Sequence, residues 1–171
     1  MKKLIIYSDG ASKGNPGDAG IGVVIRSDDG NSLAEIGEYI GKTTNNVAEY
    51  EALILGLEAA RELGADEVEV RSDSQLLVMQ LRGVYKVKSE RLFPLHTRAR
   101  QLLLSFRRSR VEHIPREQNR RADELANEGV KLGKNKAVSE SLKKSGRAVV
   151  GPAHDSPQTV PADGGQTTLG L

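Results

Sequence analysis

A chain of 171 residues with 37% hydrophobic residues suits one domain with a real core. It contains no cysteine, which excludes a disulfide framework and a thiolate metal site. The formal net charge is only +2, but it is unevenly spread: residues 1–81 carry 7 Lys/Arg against 14 Asp/Glu, and residues 82–121 carry 12 against 3. An acidic half beside a basic strip suits a site for cations next to a surface for polyanions, although solvated helix charge accounts for many such runs.

Lys2-Lys3 and the four apolar residues after them are too short for a signal peptide, and no apolar run approaches a membrane span. A cytoplasmic protein without a membrane partner is expected. Leu4-Ile5-Ile6-Tyr7 reads as a strand with both faces covered. It ends on Ser8-Asp9, and a glycine-rich turn over Gly10–Gly17 is expected to let a ligand approach the backbone. Gly20 to Arg26 is a second strand, Asp28-Asp29-Gly30-Asn31 a hairpin turn, and Leu33 to Ile40 a third strand. Short turns between successive strands imply an antiparallel meander.

Asn45-Asn46 opens a helix whose stripe is Ala48, Ala52, Leu55, Ala59 and Leu63, widened by Leu53, Leu57 and Ala60, with Gly64 placed to stop it. Glu67 to Ser72 alternates as a fourth strand, Asp73 follows, and Ser74 to Leu81 is a short helix ended by Gly83. The order strand, helix, strand predicts a parallel crossover. Leu92 to Phe106 is a third helix, Arg110 to Ile114 a fifth strand, and Asn119 caps a last helix closed by Gly133. From Lys134 onward there is no aromatic residue and three of the six prolines. A disordered polar tail over residues 134–171 is therefore expected, with one or two helical turns between Ala137 and Lys144. The domain itself is expected over residues 1–133.

A meander followed by alternating helices and strands gives an α/β layer with a mixed sheet. Ligands in such sheets bind at the rim where central strands end. Asp9 and Asp73 each end a strand, while Glu49 and Asp123 lie near helix starts. Read singly, each has a plain alternative. Glu49 stands at the capping-box offset from Asn46, Asp73 can cap the helix after it, and Asp123 can sit on a wet face.

Four segments in order carry a resemblance: Ser8-Asp9-Gly10-Ala11-Ser12 with Gly14-Asn15-Pro16-Gly17; Thr43-Thr44-Asn45-Asn46 with Glu49; Ser72-Asp73-Ser74-Gln75; and Asn119 with Ala122-Asp123-Glu124-Leu125-Ala126-Asn127. Together, over about residues 3–132, they resemble type 1 ribonuclease H. The resemblance implies a ribonuclease H-like fold, with a five-stranded mixed sheet of order 3-2-1-4-5 flanked by helices. It also implies an endonuclease that cuts the RNA strand of RNA–DNA hybrids, leaving 3′-hydroxyl and 5′-phosphate ends.

The residue types suit that chemistry. Clustered carboxylates raise one another's pKa until cations neutralise them. Hard oxygen ligands with room for water and phosphate suit Mg²⁺, or Mn²⁺ as a substitute, and two such ions about 4 Å apart can clamp an in-line displacement. By resemblance, Asp9 bridges both metals, Asp123 helps hold the ion on the attacking water, and Glu49 and Asp73 hold the ion on the leaving oxygen. The family's sensors of the 2′-hydroxyl map onto Gly10, Ser12, Asn15, Asn45 and Gln75, and Glu49 can also accept from that hydroxyl. Thr44 and Asn46 map onto positions that hold a DNA phosphate near a helix N-terminus, or they act as helix caps.

Two departures stand out. Arg82 to Arg91 is short and lacks the tryptophan-bearing basic protrusion of many members, which leaves Tyr85, Lys86, Lys88 and Arg91 to grip substrate. The stretch Val111 to Asn119 also replaces a glycine-rich loop with its histidine, as in the compact subset of the family. The histidine's role falls to Arg116, which follows Pro115, ahead of His113 inside the fifth strand. No hybrid-binding module is expected before residue 1, and a monomer without a protein partner is expected. Duplex RNA stays open as a second substrate. A proofreading-type exonuclease would need an acid where Ala11 stands, and a nucleotide-binding reading lacks Gly-Lys-Ser/Thr after Gly17. A catalytically silent nucleic-acid-binding module is the remaining alternative, and four intact carboxylates weigh against it.

Overall fold

The computed structural model describes residues 1–144, and side-chain surroundings through residue 135. The chain divides into two compact units, Met1–Gly133 and Lys134–Leu171, and the sheet lies in the first. Strands β1 (Lys3–Gly14), β2 (Gly17–Ser27) and β3 (Ser32–Thr43) form the expected meander. Helix α1 (Asn45–Glu62) crosses to β4 (Glu67–Ser72), which lies parallel to β1. Helices α2 (Gln75–Leu81) and α3 (Phe93–Leu104) lead to β5 (Arg108–His113), parallel to β4. A 3₁₀ turn over Arg116–Gln118 precedes α4 (Arg120–Lys144). The strand order is β3-β2-β1-β4-β5, as expected.

The expected turn after Asp9 is instead more strand. β1 and β2 stay paired from Leu4↔Ser27 through Asp9↔Gly22 to Gly14↔Gly17. Pairing with β4, however, stops at Tyr7↔Arg71. Asp9 therefore lies mid-strand on one side and just past the last β4 partner on the other. That one-sided ending makes the rim.

The core lies between the sheet and α1. Leu4, Ile6, Val23, Ile25, Val68 and Val70 are fully buried or nearly so, and Leu53, Leu57 and Ala60 cover them from the helix. Each such Leu or Ile is worth about 2 kcal/mol in transfer free energy. The buried face of α1 centres on Ala48, Ala52, Leu53, Leu57 and Ala60, whereas Leu55, Ala59 and Leu63 are only partly buried. The stripe is shifted and widened because α1 packs on β1 and β2 and also against α3. Gly64 and Gly83 have φ of +83° and +80° just after α1 and α2, as helix-ending glycines do.

Gly133 does not close the last helix, which runs on to Lys144. It does not adopt a positive φ, and a Cβ there would overlap one edge of the Tyr39 ring. It is small for packing, not for stopping. Residues 134–144 continue this helix without a break, where a polar tail with one or two helical turns between Ala137 and Lys144 was expected, and residues 145–171 lie outside the described residues. Among the described residues no helix is long and apolar enough to cross a membrane.

Candidate active site

Two glycines seat the helices that bring side chains to the rim. A Cβ on Gly10 would lie 2.5 Å from Glu49 N and closer still to the Ala48 carbonyl carbon. Glycine thus lets the first turn of α1 rest on β1, and Glu49 Oε1 accepts a hydrogen bond from Gly10 N at 2.5 Å. Gly22 is the register partner of Asp9, and a Cβ on it would overlap Ala122 O. Glycine there lets α4 lie against β2, with Asp123 next in sequence. Asp73 follows β4 directly. The plain alternatives for two acids fail on geometry. Thr44 is the N-cap of α1, accepting from Val47 N, and Ser74 is the N-cap of α2, accepting from Leu77 N.

Asp9, Gly10, Ala11, Ser12, Asn45, Glu49, Asp73, Ser74, Arg116, Asp123 and Asn127 line one open pocket of about 390 Å³. Asp9 and Glu49 are buried, at 7% and 8% exposure. Burial drives the Asp9 carboxyl far up, to about 10, and the charges of Glu49 and Asp73 and hydrogen bonding with Asp123 and Glu49 push the same way. Glu49 is raised to about 7, again by burial first, with the Gly10 N–H pulling it back and the Asp73 charge adding to the rise. Without a cation, burial and neighbouring carboxylate charge favour the protonated form of both acids. Among the described residues no three acidic or imidazole groups close into a ready-made metal cage. The four carboxylates form an open rim of hard oxygen donors with space for water. That donor set, carrying charge that burial alone cannot hold, fits Mg²⁺ or Mn²⁺.

The other expected residues fall in two groups. Ser12 and Asn45 line the pocket, and Asn15 supports it by accepting from Asn45 N through Oδ1 at 3.1 Å. The Ser12 hydroxyl has one proton to donate, with Thr43 O at 3.0 Å and Gly14 O both in reach, and its lone pairs stay free to accept. Thr44, Asn46 and Gln75 do not line the pocket, and Asn46 and Gln75 are exposed. Arg116 lines it beside Asp123. His113 does not; its Nε2 stands 3.3 Å from the Asp73 backbone oxygen.

Two residues at the rim were not singled out from the sequence as site residues. Asn127 Nδ2 donates to Asp123 O at 2.9 Å and to Asp123 Oδ1 at 3.4 Å, while its Oδ1 accepts from Lys13 Nζ at 3.2 Å. An i, i+4 offset from Asp123 on a helix is the signal that could have found it. Asn119 was read as a helix cap, but its side chain turns to the sheet: Nδ2 donates to Ser8 O at 2.9 Å and to Asp73 Oδ1 at 2.8 Å. A second cavity, of about 250 Å³ around Tyr7, Arg26 and Arg121, holds none of the four acids.

Strand order and convergent acids together define the ribonuclease H-like class. A family model described as "Reverse transcriptase-like" matches residues 7–129. Ribonuclease HI of Halobacterium salinarum is 50% identical over 124 residues, covering 72% of this chain and 62% of its own length. The bifunctional protein Rv2228c of Mycobacterium tuberculosis is 44% identical over 140 residues, covering 81% of this chain and 38% of its own length. The solved structure of LC11-RNase H1 in complex with an RNA/DNA hybrid is 50% identical, with a TM-score of 0.72, covering 80% of this chain and 99% of that one. The chain belongs to the ribonuclease HI family. It spans less than two thirds of the length of the two curated relatives.

Proposed function

We propose that this protein is an endonuclease that hydrolyses the RNA strand of RNA–DNA hybrids, using two divalent cations held by Asp9, Glu49, Asp73 and Asp123. What carries the reading is the convergence of these four carboxylates in one open pocket, with Asp9 and Glu49 raised by burial first and then by the Asp73 charge, and Asp9 by the Glu49 charge as well. Family relatives support the substrate, one of them solved with an RNA/DNA hybrid bound. When bound, Mg²⁺ supplies a water activated for in-line attack and charge neutralisation at the leaving 3′ oxygen. The products then carry 3′-hydroxyl and 5′-phosphate ends.

The chain's own side chains do the rest. Gly10 N–H fixes one oxygen of Glu49, which holds the orientation of the carboxylate. Asn45 and the Ser12 hydroxyl face the pocket, where an acceptor and an amide can read a 2′-hydroxyl. Thr44, Asn46 and Gln75, outside the pocket, suit contacts farther along the duplex. Arg116 stays protonated at neutral pH, so it can pair with a phosphate and ease its departure but cannot serve as a base.

The test is cleavage of end-labelled hybrid in Mg²⁺ by the wild type and by Asp9→Asn, with the product ends analysed chemically. The proposal expects 3′-hydroxyl and 5′-phosphate products from the wild type, none in EDTA, and almost none from the variant. Near-wild-type cleavage by Asp9→Asn, or 2′,3′-cyclic phosphate ends, would sink it.

A further inference from the structure

We infer that Asn119 is a positioning residue that holds the Asp73 carboxylate, and the end of the β1 pairing that carries Asp9, in the arrangement that receives the cation. The inference rests on the metal-dependent reading above and assigns a role to a residue that the reading leaves idle.

Asn119 is only 2% exposed. A side-chain amide has two N–H donors, and here they go to Ser8 O at 2.9 Å and Asp73 Oδ1 at 2.8 Å. Both partners are acceptors, so the amide has only one orientation that suits them. Its backbone also joins the site: N donates to Arg116 O at 2.9 Å, and O accepts from Asp123 N at 3.1 Å. One residue thus ties the strand before Asp9, the carboxylate of Asp73, the turn holding Arg116 and the start of α4.

Helix capping does not explain this arrangement. A cap uses its side-chain oxygen to accept from the first turn of the helix, yet Asn119 Oδ1 is buried with no hydrogen-bond partner among the described residues. Leaving a buried acceptor unpaired costs stability. The side chain bears that cost while presenting both donors to the rim. The Asp73 contact occupies Oδ1, and among the described residues no hydrogen bond engages Oδ2, so one oxygen is held and the other is left for a cation. Because the donors face two oxygens, aspartate cannot substitute: Asn119→Asp would set a further acceptor against Ser8 O and Asp73 Oδ1.

The test compares the full-length wild type with Asn119→Ala, Asn119→Ser and Asn119→Asp. Mg²⁺ binding is measured by calorimetry without substrate, and kcat and KM are measured on a hybrid. Groups that orient metal ligands typically change affinity or activity about 10- to 100-fold when removed. The expected result is Mg²⁺ affinity and kcat each reduced about 10-fold or more in folded variants, KM for hybrid within about 2-fold, and partial recovery of kcat at high Mg²⁺. A variant with a lowered Tm but wild-type Mg²⁺ affinity and kcat would overturn the inference, since a merely structural role predicts that pattern.

A measurement on the wild type alone does not depend on the variants folding. The Asn119 side-chain NH₂ resonances should shift on Mg²⁺ addition, and fixed resonances while the carboxyl signals titrate would overturn the inference. If the wild type binds no Mg²⁺ and cuts hybrid in EDTA, the metal reading itself fails. If it binds Mg²⁺ and Asn119→Ala binds equally well, only this inference fails.

Discussion

Replacing Asp9 by Asn should stabilise the metal-free protein while abolishing cleavage. The Asp9 carboxyl is 7% exposed and is driven up by burial and then by the neighbouring Glu49 and Asp73 charges. In the unfolded chain it titrates near 3.9. Above that pH the folded state keeps a proton that the unfolded state has lost, so stability is greatest below the unfolded value and falls as pH rises. Each pH unit of that difference is worth about 1.4 kcal/mol. Between the unfolded value and pH 8 this sets an upper limit of about 5–6 kcal/mol, of which relaxation and water entry at the open pocket leave about 2–3 kcal/mol. Asn keeps the volume and one N–H donor for Glu49 without the titration. In EDTA at pH 8, Asp9→Asn should therefore be more stable by about 2–3 kcal/mol, which raises Tm by roughly 5–10 °C for a domain of this size, and the gap should shrink toward pH 4. Thermal melts of both proteins at pH 4, 6 and 8 in EDTA measure it. A variant less stable than wild type at pH 8, or a gap that does not change with pH, would refute the reasoning.

Other outcomes follow from the same geometry. Mg²⁺ binding should release about one proton or more at pH 7, because the raised Asp9 carboxyl keeps its proton until a cation displaces it, and affinity should rise with pH; calorimetry in buffers of different ionisation enthalpy reads the number, and zero release would contradict the raised carboxyl. Arg116→Ala should lower kcat about 10-fold or more, since Arg116 lines the pocket, whereas His113→Ala should change it little; steady-state kinetics on one hybrid decides the order. Gly22→Ala should cost about 1–3 kcal/mol and reduce cleavage as well, because its Cβ would push on Ala122 O and move Asp123; a denaturant melt and an activity assay together test it, and unchanged activity would show that Asp123 does not depend on that contact.

Much of this arrangement was legible in the sequence. The four acids stood out at strand ends and helix starts, while the strand order, and with it the adjacency of Asp9 and Asp73, was what the family resemblance implied. What was not legible depends on what lies across the backbone. Gly10 read as part of a ligand-cradling turn, but it is a strand residue made small by the first turn of α1. Gly133 read as a helix stop, whereas it makes room for the Tyr39 ring contributed by a strand far away in sequence. Asn119 sits where a cap is expected, and only the positions of Ser8 O and Asp73 Oδ1 reveal which way its amide points. Local pattern reports a residue's neighbours along the chain, and these roles are set by neighbours across it.

The most direct test of the central claim is a strand-resolved assay. RNA–DNA hybrid, duplex RNA and duplex DNA, each labelled on one strand at a time, are incubated with the purified full chain in Mg²⁺, in Mn²⁺ and in EDTA. The account predicts internal cuts in the RNA strand of the hybrid with either metal, an intact DNA strand, intact duplex DNA, and no cutting in EDTA. Cleavage of the DNA strand, or hybrid cleavage that persists in EDTA, would contradict it.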